Sequence, residues 1–250
     1  MSATPLVSRE WLALREPADA DARSVEIAER LARQLPAGPL EIHDLGGGTG
    51  AMGRWLAPRL PEPQHWVVHD RDEDLLELAA ASFETRRSDI TRLTPADLAG
   101  ASAIVASALL DMLTADELAG MLGACAGTPT LIAMTVAGRV SFSPAEPLDA
   151  EFVAAFNAHQ RRDGRLGPDA VDAALEQLPG EVLVRPSPWH LGAAHPDLLA
   201  MWFGGWVAAA AKQEPALAAE ADAYRDRRLA QAAAGELAVT VDHADLLVLP

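Results

Sequence analysis

The chain predicts an open, mostly parallel α/β sheet, and three observations carry that prediction. Short apolar runs alternate with segments of helical period from residue 24 to residue 136. A glycine-rich turn, Asp44-Leu45-Gly46-Gly47-Gly48-Thr49-Gly50, joins the first such run to the helix after it. Ala103 to Ala108, "AIVASA", is apolar without a break, as a strand buried on both faces of a parallel sheet should be.

Each element follows from local pattern. Val25, Ala28, Leu31, Ala32 and Leu35 recur at helical spacing in residues 24 to 35, and Pro36-Ala37-Gly38-Pro39 ends that helix. Leu40 to Leu45 is a strand running into the glycines, and residues 52 to 60 continue as a helix until Pro61 and Pro63. His65 to His69 is a second strand closed by Asp70; residues 74 to 82 form the next helix. Thr85 to Asp89 is a weak third strand, followed by a helix around residues 95 to 99. After the fourth strand, Thr114 and Glu117 spell a capping box that starts a helix. Thr130 to Val136 is the fifth strand. Helices over 148–162 and 169–177, a strand at 181–185, two helices between 196 and 234, and a strand near 237–241 complete seven strands.

At 250 residues, half of them apolar, the chain can bury one sizeable core. A single domain over residues 1–250 is expected, with an amino-terminal helical segment over 1–37 and a helical cap inserted at about 187–235. A net charge of −16 opposes binding to nucleic acid or anionic membranes, since an acidic surface repels phosphate. Arginine outnumbers lysine 19 to 1, a compositional bias and not an arginine patch. The lone Cys125 cannot close an internal disulfide, no signal-peptide pattern opens the chain, and no apolar run reaches membrane-spanning length. A cytoplasmic protein, monomer or homodimer, is expected. Its seven histidines form no metal-ligating pattern, so no metal site is expected, and Cys125 reads as a small core residue.

The glycine turn carries two signatures at once. Gly48, Gly50 and Gly53 spell the G-x-G-x-x-G of a dinucleotide site, and Asp70 lies 20 residues after Gly50, where a ribose-binding acid belongs. That pattern leaves Asp44 and Gly46 without a role. Asp44, Gly46, Gly48 and Gly50 instead spell D-x-G-x-G-x-G, in which a carboxylate precedes the glycines and suits a ligand carrying an ammonium group.

This segment resembles motif I of the class I S-adenosylmethionine-dependent methyltransferases. The resemblance implies a Rossmann-like fold with a seven-stranded, mostly parallel sheet and an antiparallel last strand. It implies S-adenosylmethionine as cofactor, with Asp44 toward the methionine ammonium and Gly46, Gly48 and Gly50 letting the backbone close on the ligand. Asp70 corresponds to the acid that takes the ribose hydroxyls, Asp89 to the acid that takes the adenine amino group, and Ile90 to the residue against the ring. "VASALLDML", Val105 to Leu113, is similar to the family's fourth strand and following loop, which passes beneath the methyl and brings Ser107 to the cofactor. Arg15, in a segment that closes over the cofactor in some members, is the candidate partner of the methionine carboxylate. The departure from the family is the helical stretch between the sixth and seventh strands, where a hairpin often stands.

Ligands of such sheets bind outside the carboxyl ends of the strands. Asp111, the one charge in an apolar run, is a candidate catalytic residue that would hold the acceptor or take its proton, against the plainer reading of an exposed helix start. Phe152, Phe156, His159 and Asp163 share a helical face with Asn157 and Arg161 turned away, which makes His159 either a core histidine or a general base oriented by Asp163. Arg139, Trp189 and His190 leave strand ends on the ligand side and are the candidate acceptor-binding residues, each also readable as packing or surface. Trp202 and Trp206 read as the cap's own core.

The expected activity is in-line methyl transfer to a small-molecule acceptor. An NAD(P)-dependent oxidoreductase and a catalytically silent donor-binding scaffold are the alternatives.

Overall fold

The computed structural model describes residues 8–178 and 180–250; residues 1–7 of the expected amino-terminal segment lie outside it. The first half of the chain is a strand-helix alternation. Helices α1 (Arg9–Ala22) and α2 (Val25–Ala32) precede β1 (Leu40–Leu45), and α3 (Ala51–Leu56), β2 (Gln64–Asp70), α4 (Glu73–Ala79), β3 (Glu84–Arg87), β4 (Ala103–Ser107), α5 (Ala115–Ala124) and β5 (Thr130–Ser143) follow. The second half holds α6 (Asp149–Gln160), α7 (Ala170–Gln177), β6 (Glu181–Pro186), β7 (Trp189–Leu191), α8 (Pro196–Gln213), α9 (Ala218–Ala233) and β8 (Ala238–Leu249).

The strands form one sheet in the order β3-β2-β1-β4-β5-β8-β6, with β7 beside β8. β1 to β5 are mutually parallel, whereas β8 runs antiparallel to β5, β6 and β7. The strand order reverses on either side of β1, so the carboxyl ends of β1 and β4 open a crevice at a topological switch point. An antiparallel strand inserted between β5 and β6 differs from the all-parallel 3-2-1-4-5-6 order of the dinucleotide fold.

Eight strands, not seven, are present among the described residues. The extra one is β7, which pairs Trp189 with Val241 and Leu191 with Val239. It forms because β5 and β8 both run past the sheet proper: Val140 pairs with Val241 and Phe142 with Val239, leaving an edge for a third strand. Two bulges, between Ile132 and Thr135 and between Val136 and Val140, bend β5 where it crosses the crevice. At the first, Met134 takes φ 57° and donates its N–H to Asp245 Oδ1 at 2.8 Å. The second Asp245 oxygen accepts from Ser24 N at 2.8 Å, so one buried carboxylate ties the bulge to the start of α2.

Several expectations shift. α2 ends at Ala32 and turns Ile27, Ala28 and Leu31 inward; Val25, expected on the core face, is half exposed because the i, i+4 pair of Ile27 and Leu31 sets the buried stripe. The helix expected around residues 95–99 is a turn, in which Asp97 Oδ2 accepts from both Thr94 N and Thr94 Oγ1. α6 stops at Gln160, so Asp163 leaves the face it was expected to share with His159 and sits in a following turn at φ 56°. The capping box of α5 is present, with Glu117 N donating to Thr114 Oγ1 and Thr114 N to Glu117 Oε2.

Above the extended strands, α6, α8 and α9 pack together. Phe152 stacks on Tyr224 at 4.4 Å, and Trp206 contacts Phe142, Phe152, Phe156, Trp202 and Phe203. A fully buried Arg228 donates to both oxygens of Asp149 at 2.5 and 2.7 Å and to the Pro144 carbonyl, while Tyr224 Oη donates to Asp149 at 2.6 Å. This pair locks α9 to the start of α6. Cys125 is buried at the end of α5, where burial pushes its thiol up to about 12. Among the described residues, no helix is long and apolar enough to cross a membrane.

Candidate functional site

Two cavities, of about 340 Å³ and about 530 Å³, meet along the carboxyl ends of β1, β2 and β4 and share Gly46, Asp70, Leu75, Ala108 and Met112. Both volumes fall in the range of roughly 300–1,000 Å³ typical of small-molecule sites.

The glycine turn forms the floor between them. Gly46, Gly48 and Gly50 all take positive φ, of 65°, 53° and 79°. The tightest approach is at Gly47, where an added Cβ would lie 2.6 Å from the Asp44 carboxyl and 2.8 Å from Val68. At Gly53 the same atom would meet the Phe83 ring at 2.8 Å, so that glycine serves the packing of α3 against the sheet.

The three strand-end acids differ in environment. Asp70 is held by backbone donors, with Gly48 N on Oδ2 and Asp72 N on Oδ1, each at 2.9 Å, and it lines both cavities. Asp89 lines the larger cavity beside Ile90; its Oδ1 accepts from Thr91 N and Oγ1, which holds its carboxyl below the usual range. Asp44 is fully buried behind the turn, and neither of its oxygens has a protein partner. Burial pushes its carboxyl up to about 7, against the opposing pull of Arg23. Asp44 does not line either cavity; only the backbone of the turn separates it from the smaller one.

The larger cavity is acidic. Asp70, Asp72, Asp89, Glu117 and Asp163 line it against Arg71 and Arg165, five carboxylates to two guanidinium groups. A pyrophosphate would meet net negative charge there, whereas a neutral nucleoside would find hydroxyl and amino acceptors in Asp70 and Asp89. Asp163, displaced from the α6 face, thus joins the wall on this side.

α1 roofs the smaller cavity. Trp11, Leu12, Arg15 and Asp19 face it, and Glu16 anchors the helix through a two-point pair with Arg54 at 2.7 and 2.6 Å. Arg15, the expected carboxylate partner, is already engaged: Nε and Nη2 donate to Asp19 at 3.0 and 3.1 Å, and its guanidinium lies over Trp11 and Trp189 at 5.8 and 5.0 Å. Trp189 Nε1 donates to the same Asp19 at 2.9 Å. Arg23, at the corner between α1 and α2, is buried and lines the cavity, with Nη2 donating to Ser107 Oγ at 3.1 Å. Its Nε and Nη1 have no protein partner.

The remaining predicted residues divide. Asp111 lines the smaller cavity from a 3-10 turn after β4, where burial raises its carboxyl above the usual range. Trp189 and Arg139 line it too, although Arg139 is mostly exposed and pairs with Asp242 at 2.8 Å. His190 does not: strand alternation turns it to solvent, toward Thr240. His159 lines neither cavity and faces Arg162, Arg165 and Lys212, whereas Phe156, Asn157 and Gln160 of the same helix do reach the smaller one. The expected face of α6 was therefore rotated, with Asn157 turned inward.

Arg23 and His243 also line the smaller cavity, although neither stands in a sequence motif. His243 sits on β8 opposite Val136, packs 5.1 Å from Trp189 and lines the smaller cavity with Nδ1 unpartnered. Burial and the nearby Arg15 lower it to about 4, so the ring is neutral at neutral pH. Neither residue carries a local signal, because each reaches the site by a tertiary path from one end of the chain.

No family model and no curated protein matches the sequence. Among solved structures, a candidate type II methyltransferase from Anaeromyxobacter dehalogenans is similar over 91% of this chain and 97% of its own, at 18% identity and TM-score 0.55. A cyclopropane synthase from Mycobacterium tuberculosis is similar over 96% and 94%, at 13% identity and TM-score 0.48. At these identities the likeness is one of fold: the chain has the Rossmann-like fold of the class I methyltransferases.

Proposed function

We propose that this protein is an S-adenosylmethionine-dependent methyltransferase that acts on a small-molecule acceptor by in-line transfer. The observation that carries the reading is the pair of strand-end carboxylates, Asp70 and Asp89, along a two-part cleft whose nucleoside end is acidic, with Asp44 buried behind the glycine turn. A phosphate-bearing dinucleotide suits that end poorly; adenosine without phosphate suits it well. Arg15, Arg23 and Asp111 line the smaller cavity, so its wall carries charges of both signs, as an amino-acid group requires.

In this reading Asp70 takes the ribose hydroxyls, Asp89 and Ile90 the adenine, and Gly46, Gly48 and Gly50 the close backbone approach. Ser107 holds the Arg23 guanidinium at the methionine end. The donor, when bound, supplies a sulfonium methyl that needs little activation. The protein then has to align the acceptor, exclude water and manage one proton. α1 and the α6–α8 cap flank the smaller cavity beside Ala108 and Met134, and Trp11, Trp189, Trp202 and Phe156 give it an apolar wall. Asp111 and the neutral His243 are titratable groups in that wall able to accept a proton from an acceptor hydroxyl or amine, and Asn157 and Gln160 can accept a hydrogen bond from it. Arg139 stands at the rim, while His159 and His190 fall outside the cavity.

A formal charge of −16 and a cavity of small-molecule size favour a metabolite over RNA or protein. The test is transfer of a labelled methyl group from the donor into fractionated extract. The expected result is label in the small-molecule fraction, with Asp111→Asn lowering turnover about 10²-fold or more at unchanged donor affinity. Label confined to RNA or protein would contradict the acceptor class.

A further inference from the structure

We infer that a relay of Glu41, His43, His69 and Ser88 fixes the Ser88 hydroxyl as a hydrogen-bond acceptor in the larger cavity, and so helps that cavity select a base carrying an amino group; the inference rests on the donor reading above. The relay is continuous. His43 Nε2 lies 2.9 Å from Glu41 Oε1, His43 Nδ1 lies 2.9 Å from His69 Nε2, and His69 Nδ1 lies 3.0 Å from Ser88 Oγ. Both rings are buried, whereas Glu41 is partly exposed at one end and Ser88 lines the larger cavity beside Asp89 at the other.

Strand geometry builds the relay. Glu41 and His43 alternate onto one face of β1, and His69 lies on the same face of β2, one step beyond Val67, the register partner of His43. The two ring centroids are 5.0 Å apart with 22° between the planes, a separation that matches the 2.9 Å contact plus one ring radius on each side. The nitrogens therefore point at each other along the line that joins the rings.

Glu41 sets the polarity of the whole chain. A carboxylate only accepts, so His43 Nε2 carries a hydrogen and donates it. With one hydrogen on each ring, His43 Nδ1 is a bare acceptor, His69 Nε2 donates to it, and His69 Nδ1 is left bare in turn. A further proton would place charge between rings that are 1% and 2% exposed; burial, His43 and Arg86 lower His69 to about 4 against the weaker pull of Asp97 and Glu84. Ser88 meets the bare nitrogen by giving it the hydroxyl hydrogen, since the competing Arg86 carbonyl is farther, at 3.3 Å. Only lone pairs remain for the cavity. The neighbouring Asp89 carboxylate also only accepts. An exocyclic amino group has two hydrogens and can meet both acceptors, whereas an oxo group in its place would face both with lone pairs. Glu41, His43 and His69 are thus positioning residues, and none of them lines either cavity.

Two measurements on the full chain test the assignment. The imidazole ¹⁵N resonances of His43 and His69 in the native protein at neutral pH, assigned by their loss in His43→Gln and His69→Gln, should show the Nε2–H form of both rings. The Nδ1–H form, or a doubly protonated ring, overturns the inference. Calorimetric titration then compares S-adenosylhomocysteine with S-inosylhomocysteine, in which an oxo group replaces the amino group. Ser88→Ala should lower the native preference for the amino form about fivefold or more, and Ser88→Thr, which keeps the hydroxyl, should retain it. Glu41→Lys puts a donor where the carboxylate stood, so it should reverse both tautomers and lower the preference from outside the cavity. Native preference in Ser88→Ala or in Glu41→Lys, or an equal loss in Ser88→Thr, overturns the inference. Failure of the native protein to bind either probe would instead remove the donor reading.

Discussion

Asp44 is where function and stability pull hardest against each other. Its carboxyl is raised to about 7, so between about pH 4 and pH 7 the folded chain holds a proton that the unfolded chain has released. Stability from this group is therefore greatest below pH 4 and is lost as pH rises through 7, at a cost on the order of 4 kcal/mol once the group is charged. Asp44→Asn should be more stable than the native protein at pH 8 and no more stable at pH 4, as chemical denaturation at the two pH values would read. The same proton predicts that S-adenosylhomocysteine affinity falls about tenfold per pH unit below 7, because binding must displace it, and that the slope vanishes in Asp44→Asn. Gly47→Ala forces a Cβ into that carboxyl and should cost about 1–3 kcal/mol by overpacking, together with donor affinity. At this scale the acids were legible because each closes a strand. Arg23 and His243 were not, since nothing local distinguishes an arginine at a helix corner or a histidine in a late strand.

The elements show why some boundaries could be read and others could not. Thr114 with Glu117 is a local device and was found where it stands; Thr114→Ala should cost about 1 kcal/mol, measured as a shift in the denaturant midpoint. β8 is longer than the run at 237–241 suggested, because His243 and Asp245 look like a strand's end but are buried, and Asp245 is satisfied by two distant backbone donors. α1 falls within the expected amino-terminal helical segment, but its bounds carry little local signal: Pro17 lies inside it, and Arg15 and Asp19 face a cavity rather than water. The cap depends on one buried pair. Arg228→Ala leaves Asp149 charged and without its main partner, and should destabilise by about 3–5 kcal/mol, lowering the thermal midpoint on the order of 10 °C. Asp149→Asn, which keeps Tyr224 and Arg228 hydrogen-bonded, should cost less.

The molecule as a whole places a switch-point crevice beneath two covers, α1 from the amino terminus and the α6–α8 pair from the carboxyl half. Its response to acid should reflect buried histidines as well as Asp44. His243 and His69 are both lowered to about 4 by burial, so their contribution is fully present above about pH 6.5 and is lost as pH falls through 4. Asp44 opposes that loss in the same window, so Asp44→Asn should show the steeper fall in thermal midpoint between pH 6.5 and 4. The parallel sheet and the strand-end acids were visible in the sequence because they repeat a local pattern. The amino-terminal helical segment and the cap were expected, but not which of their residues face the crevice, because that is defined by what they meet across the fold. The most direct test of the central claim is calorimetric titration of the native protein with S-adenosylhomocysteine and with NAD⁺ and NADH. Saturable binding of S-adenosylhomocysteine, weakened at least tenfold in Asp70→Asn, and no binding of either nicotinamide form are expected; tight binding of NAD⁺ or NADH with none of S-adenosylhomocysteine would contradict the methyl-donor site.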